Sequence, residues 1–207
     1  MDWAFDYMQR EGTAKDIKTA LNVDAWSRDL SGGSVYLRLS TRSLEQPPRE
    51  MSADLADNII NGAYWFKPPE PGCALVIAYQ GVLASEAIKA AGQLGGDNRN
   101  VALLAITSAD RLNAGWHAAQ KARASGDSKA TCHVEQILNQ VPRHCAIISI
   151  IDAHPLTLGW LGSVAGHRSV TLGVEHFGQS GTVHDLYQHF GIDADAIVNA
   201  ARQFVRA

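Results

Sequence analysis

The chain has 207 residues, 46% of them hydrophobic, with 18 Lys and Arg against 21 Asp and Glu and a formal net charge of −3. This length fits one large domain, or one domain with part of another, and the apolar content can fill a core. The basic residues form no stripe, so we expect no nucleic-acid binding. No apolar run approaches the ~20 residues of a membrane span, so we expect no membrane segment.

The cysteines and the N-terminus indicate where the protein resides. Three cysteines are present without a C-x-x-C motif, and the N-terminus lacks the features of a signal peptide. Both observations indicate a reduced, cytoplasmic setting. Cys73 and Cys145 open apolar runs, and we expect them to be buried as small hydrophobic residues.

The first 50 residues are typical of the end of one structural unit followed by a linker. Apolar residues between Trp3 and Met8 lie on one face of a predicted helix that has no capping residue before it. We therefore expect a piece cut from a longer chain. Alternation of apolar and more polar residues predicts a strand at Ser34–Ser40. Pro47 and Pro48 break regular structure, and we place a domain boundary near residue 50.

Residues 51–207 alternate between strand and helix patterns. Strands are predicted at 62–67, 73–79, 101–108, 145–151 and 170–174, the first of them an edge strand. Helices are predicted at 82–94, from 110 through Trp116, at 134–141 and at 156–161. This order predicts a three-layer α/β/α domain whose sheet is mainly parallel with a mixed edge.

A loop with three glycines follows the last predicted strand, from Gly173 to Gly181. Its glycine spacing matches neither the dinucleotide-binding fingerprint nor the P-loop. Thr182 is predicted to cap a short helix with Asp185 at its third position, and Gly191 to end that helix. The loop therefore has a structural explanation, although amides at a helix start can also face an anionic ligand or a neighbouring domain.

Within this loop we expect His176, Gln179 and Ser180 to be the side chains able to make such contacts. Ser180 lacks the G-x-S-x-G pattern of a hydrolase nucleophile. Among the eight histidines, His184 and His189 are five positions apart, and two ligands on one helix face need three or four. We therefore predict no catalytic residue and no metal site in this chain.

Arg42 is the other candidate contact residue. It follows the predicted strand Ser34–Ser40, at the carboxyl end where α/β sheets place ligand contacts. An arginine there can clamp a carboxylate or phosphate with two hydrogen bonds. The alternative, a solvated arginine or one paired with Glu45, stays open.

Several runs in the right order make the chain resemble the end of the transketolase superfamily. These runs are Val35–Arg42, Ala84–Ala87, Ile106–Leu112, Val174–Gly181, Asp185–Tyr187, Phe190–Asp193 and Ile197–Ala201. The chain is most similar to the homodimeric decarboxylating component of pyruvate dehydrogenase and its transketolase-like relatives. The resemblance implies that residues 1–50 are the tail of a pyrimidine-binding domain plus linker. It also implies that residues 51–207 are a transketolase C-terminal-like domain.

The resemblance further implies a homodimeric parent enzyme that depends on thiamine diphosphate and magnesium and acts on 2-oxo acids or ketose phosphates. The acyltransferase core of a dehydrogenase complex is an implied partner. Gly95-Gly96-Asp97 does not begin the family's diphosphate motif, so we expect this chain alone to bind no cofactor and to be inactive. Arg42 matches a position where transketolase-type relatives carry an arginine near the substrate phosphate.

Three functions follow from these observations. The first is the C-terminal domain of a thiamine diphosphate-dependent dehydrogenase or transketolase, with a structural, dimerisation or regulatory role. The second is a non-catalytic interaction module of the same fold that works with a separate catalytic subunit. The third is an unrelated α/β protein that binds a small ligand.

Overall fold

The computed structural model describes residues 37–40, 43–45, 47–96 and 100–205. Within these ranges, one sheet contains five strands: β1 (Ala63–Lys67), β2 (Leu75–Gln80), β3 (Val101–Ile106), β4 (Ala146–Ile150) and β5 (Ser169–Leu172). The strand order is β1-β3-β2-β4-β5. β1 pairs antiparallel with β3, while β2 pairs in parallel with both β3 and β4, and β4 with β5. The predicted mainly parallel sheet with a mixed edge is therefore confirmed.

Seven α-helices and two short 3₁₀ turns surround the sheet in the described ranges. The helices are α1 (Ala53–Ile60), α2 (Ala84–Gly96), α3 (Ala109–Ala124), α4 (His133–Leu138), α5 (Leu161–Ala165), α6 (Val183–His189) and α7 (Ala194–Val205). The 3₁₀ turns are Gly81–Leu83 and Pro155–Thr157. None of the described helices is both long and apolar enough to cross a membrane.

The strand residues divide between two apolar layers because successive side chains of a strand point to opposite faces. In β2, Leu75, Ile77 and Tyr79 pack toward α2 and α7, whereas Val76 and Ala78 pack toward α3, α4 and α5. Ile77 and Ala78 are fully buried. The near-continuous apolar runs in the sequence therefore mark strands covered on both faces, as predicted.

Two predicted elements differ from the structure, and two helices were missed. Leu37–Ser40, the described part of the predicted strand Ser34–Ser40, is exposed and forms no strand. The predicted helix at 156–161 is a 3₁₀ turn at Pro155–Thr157, and α5 starts only at Leu161. The sequence analysis missed α1 and α7, although Ser52 caps α1 by accepting a hydrogen bond from the Leu55 amide. A strand requires a pairing partner, which Leu37–Ser40 does not find among the five strands of this sheet.

A charged contact joins α3 to the start of α4. Arg123 Nη2 donates to Glu135 Oε1 at 2.7 Å, Nη1 donates to Oε2 at 3.1 Å, and Nη1 also donates to the Ala130 carbonyl at 2.8 Å. Glu135 Oε2 also accepts from the Cys132 amide, which completes a capping box. The hydrogen bonds from Arg123 lower the pKa of Glu135 against the opposing effect of burial.

A Glu135→Gln substitution tests this contact through its pH dependence. The pKa of Glu135 is lower in the folded than in the unfolded chain. The contribution of Glu135 to stability is therefore complete when the pH is above the pKa of the unfolded chain, and it is lost as the pH falls through the lower pKa of the folded chain. We expect the variant to lose about 1–2 kcal/mol of unfolding free energy at neutral pH. This loss of unfolding free energy should shrink below about pH 4. Urea unfolding of the wild-type chain and the variant at several pH values measures the loss and its dependence on pH.

Glu50→Gln is the matched control, because Glu50 is exposed. We expect it to leave the unfolding free energy within about 0.5 kcal/mol at both pH values. If Glu135→Gln lowers the unfolding free energy by the same amount at both pH values, the charge of Glu135 has no role in this contact.

Candidate functional site

The connections of β2 and β4 create a switch point at the carboxyl edge of the sheet. From β2 the chain passes through α2 to β3 on one side, and from β3 through α3 and α4 to β4 on the other side of β2. The loops that leave β2 and β4 therefore diverge, and α/β sheets place their ligand crevices at such points. Gln80 ends β2 here, and Asp152 lies just beyond β4.

Gly173 holds the loop after β5 against the loop after β4. A Cβ atom at Gly173 would lie 2.6 Å from the Ala153 carbonyl oxygen and 2.9 Å from the Pro155 nitrogen, closer than van der Waals contact allows. The next amide, that of Val174, donates to the same Ala153 oxygen at 2.9 Å. The first glycine of the predicted loop is therefore required by a close approach of two backbones.

These two loops enclose a groove of about 630 Å³ at the carboxyl ends of β4 and β5. It is lined by Asp152, Ala153, Val174, Glu175, His176, Phe177, Gly178, Gln179 and Phe190. Of the predicted loop contacts, the structure brings His176 and Gln179 into this lining. Ser180 lies outside it, and its carbonyl accepts a hydrogen bond from Gln179 Nε2 at 3.4 Å.

The predicted cap at Thr182 is confirmed. Thr182 Oγ1 accepts from the Asp185 amide at 3.3 Å and donates to Asp185 Oδ2 at 2.7 Å. Gly191, with φ of 62°, follows the end of α6 as predicted. The Asp185 amide in the first turn of α6 is thus bound by the protein's own Thr182 side chain, which caps the helix.

An ion pair connects the segment at residues 37–40 to this edge of the sheet. Arg38 Nη1 donates to Asp152 Oδ1 at 2.8 Å, and Nη2 donates to Oδ2 at 3.1 Å and to the Asp152 carbonyl at 3.2 Å. The side chain of Asp152 is 21% exposed and that of Arg38 is 57% exposed. The sequence analysis missed both residues, although an acidic residue directly after a buried strand was an available signal.

Gln80 carries a polar atom without a partner. Its Oε1 is buried and accepts no hydrogen bond from the residues that the structure describes. Burying a carbonyl oxygen without a donor costs about 1–3 kcal/mol, so such an atom at a switch point marks a place where a donor is expected. After Arg38 and Asp152, Gln80 is the third residue at this edge that the sequence analysis did not single out.

No cluster of metal-binding side chains is present among the described residues. Across 37–40, 43–45, 47–96 and 100–205, no group of three or more His, Cys, Asp or Glu side chains is arranged to hold a metal ion. Gly95 and Gly96 end α2, and Asp97 lies outside the described residues. Arg42 also lies outside them, so its role in substrate binding stays a prediction.

Comparison with known proteins identifies the fold. The sequence profile of the family described as transketolase-like TK C-terminal domain matches residues 62–193. Transketolase from Leishmania mexicana is similar in structure, with a TM-score of 0.53, 20% identity, and coverage of 72% of this chain and 19% of that one. A structure described as split gene transketolase, inactive beta4 tetramer, has a TM-score of 0.51, 15% identity, and coverage of 70% and 43%. No curated protein is similar enough to count as a match.

At these identities the structural likeness shows the fold alone. This chain spans less than a fifth of the length of the Leishmania enzyme and under half of the split-gene protein.

The ion pair between Arg38 and Asp152 can be tested by limited proteolysis. We expect Arg38→Ala and Asp152→Asn each to speed chymotryptic cleavage within Leu37–Ser40 by roughly two- to fivefold, the effect of losing a half-exposed ion pair. The double variant should be cleaved no faster than either single variant, because each removes the same contact. Mass spectrometry of the early fragments gives the rates.

Asp57→Asn is the control, because Asp57 is an exposed carboxylate on α1. Equal cleavage rates in the wild-type, Arg38→Ala and Asp152→Asn chains would show that this ion pair does not hold the segment.

Proposed function

This chain belongs to the family of transketolase-like C-terminal domains, and on that premise we propose that it is the C-terminal domain of a thiamine diphosphate-dependent enzyme. The enzyme is a 2-oxo acid dehydrogenase of the pyruvate dehydrogenase type or a transketolase-like protein. The domain's role in it is structural: it supports docking of the preceding domain and formation of a homodimer. A regulatory role for the same domain stays open.

The observation that carries this proposal is a set of exposed large apolar side chains in the segment that contains Arg38 and in the loops after β4 and β5. Phe177 is fully exposed, Leu156 is 77% exposed, and Leu37 and Leu39 on either side of Arg38 are also exposed. We call these four residues the carboxyl-edge surface. Large apolar side chains grouped at one edge of a domain are typical of a surface that another protein part covers. The ion pair of Arg38 with Asp152 brings the preceding segment to the same edge.

The proposal assigns no chemical step to this chain. Thiamine diphosphate, when bound, supplies the carbanion stabilisation for cleavage next to a carbonyl. Among the described residues, no group of three or more His, Cys, Asp or Glu side chains is arranged to hold a metal ion. On the resemblance, we propose that the catalytic residues lie in other parts of the protein and that the chain alone is inactive.

The substrate and the partners are proposed from the resemblance of the sequence to the transketolase superfamily. Arg42 would contact an anionic substrate if the enzyme is of the transketolase type, since arginine binds phosphate and carboxylate with two parallel hydrogen bonds. A dehydrogenase would instead act with an acyltransferase core. A cytoplasmic location agrees with the three free cysteines.

A second candidate function is supported by one comparison. One protein of similar fold is described as a split gene transketolase. By analogy, this chain would be an interaction module that assembles with a separate catalytic subunit. In that arrangement, the carboxyl-edge surface would bind the separate catalytic subunit.

Activity measurements test the proposal. We expect the 207-residue chain, supplied with thiamine diphosphate and Mg²⁺, to show no turnover of pyruvate or of a ketose phosphate. The product of the full reading frame that contains this chain should turn over one of them and sediment as a homodimer. The substrate that is consumed distinguishes a dehydrogenase from a transketolase.

The matched control is a full-length product with Glu175→Gln, because Glu175 is exposed in the groove and has no catalytic role in the proposal. Its turnover should equal that of the wild-type protein. Turnover by the 207-residue chain alone would contradict the proposal. Activity that appears only after a second gene product co-purifies with the chain would support the alternative function instead.

A further inference from the structure

Two cysteine side chains meet at the amino edge of the sheet, opposite the groove. Cys73 lies just before β2, and Cys145 just before β4. Their Sγ atoms are 3.7 Å apart, and both residues have zero solvent exposure. Both are free thiols. The predicted burial of these residues as small hydrophobes is confirmed, but their contact with each other was not predicted.

Both cysteines sit at the ends of turns that lead into their strands. The Cys73 amide donates to the Glu70 carbonyl at 2.9 Å, and the Cys145 amide donates to the Pro142 carbonyl at 2.9 Å. Gly72, directly before Cys73, has φ of 83°. A disulfide requires an S–S distance of about 2.05 Å, so the sulfurs must approach by about 1.7 Å. Because the cysteines precede the paired strand residues, side-chain rotation and turn adjustment can provide this movement without breaking the β2–β4 pairing.

We propose that Cys73 and Cys145 form an oxidative modification site, at which a small peroxide converts the two thiols to a disulfide that links the amino ends of β2 and β4. Hydrogen peroxide is the co-reactant, since it is small and neutral enough to reach a buried site during local opening of the turns.

The reaction balances in two steps. In the first, the Cys73 thiolate attacks one peroxide oxygen: an S–O bond forms, the O–O bond breaks, and the hydroxide released takes up the proton that Cys73 lost, giving water and a sulfenic acid. In the second, the Cys145 sulfur attacks the sulfenic sulfur, the S–S bond forms, the S–O bond breaks, and water leaves with the Cys145 proton. The two thiols lose two electrons, and the peroxide gains them.

The contact between the thiols shifts their pKa values in opposite directions. The hydrogen bond with Cys145 lowers the pKa of Cys73 to about 7, against the opposing effect of burial. The same contact, together with burial, raises the pKa of Cys145. The lower pKa favours Cys73 as the attacking thiol and Cys145 as the thiol that resolves the intermediate. Burial raises the pKa of Cys132 to about 11, so this third cysteine is an internal reference that should react poorly.

The disulfide would close a long loop, since the two residues are 72 positions apart. Such a cross-link restricts the unfolded chain, and a rise of at least about 5 °C in the unfolding midpoint is expected. Oxidation would thus make the centre of the sheet more resistant to unfolding.

Peptide mapping tests the proposal directly. The folded wild-type chain is treated with excess hydrogen peroxide, catalase removes the excess, and the chain is unfolded in an alkylating reagent before digestion. We expect one peptide pair joined through Cys73 and Cys145, alkylated Cys132, and recovery of both thiols after treatment with dithiothreitol. The unfolding midpoint should rise by at least about 5 °C and return on reduction.

Variants serve as controls. Cys132→Ser should form the disulfide at the wild-type rate. Cys73→Ala and Cys145→Ala should each give no cross-linked peptide. If Cys73 and Cys145 both stay fully alkylatable in the peroxide-treated wild-type chain, or oxidise beyond sulfenic acid without joining, the proposal is overturned. This mapping needs no variant to fold.

Discussion

The structure depends on the parallel pairing of β2 with a strand on each side. β2 is hydrogen-bonded to β3 and to β4 and is covered by helices on both faces. A buried strand must satisfy every backbone group within the sheet, so the chain has to leave β2 toward one neighbour and later return to the other. That requirement creates the switch point, and with it the loops that contain Gln80 and Asp152.

The two edges of the sheet consequently differ in character. The carboxyl edge carries a groove, an ion pair to the preceding segment and exposed apolar side chains. The amino edge is closed: Cys73 and Cys145 meet there, and the buried His167 ring forms a hydrogen bond of 3.0 Å through Nδ1 with the Cys145 carbonyl. A docking role fits the open edge, and a covalent change at the closed edge would affect stability without touching the groove.

Burial patterns that follow from local sequence were predictable. The apolar runs around Ile77 and Ile148 marked the central strands, and the Thr182 and Asp185 pair marked the start of α6, because each depends on neighbouring residues. The pairing of Arg38 with Asp152 was not predictable, since 114 positions separate the two residues. The expected helix at 156–161 is divided in the structure, since the 3₁₀ turn ends at Leu158 with φ of −116° and α5 starts only at Leu161.

The central claim is that the carboxyl edge of this domain is covered in the assembled protein. Hydrogen exchange measures it most directly, by comparing backbone amides of residues 174–181 in the 207-residue chain and in the assembled protein that contains it. The account predicts fast exchange of these amides in the chain alone and at least about tenfold slower exchange in the assembly. The amides of β2 should exchange slowly in both. Equally fast exchange of residues 174–181 in the two samples would contradict the account.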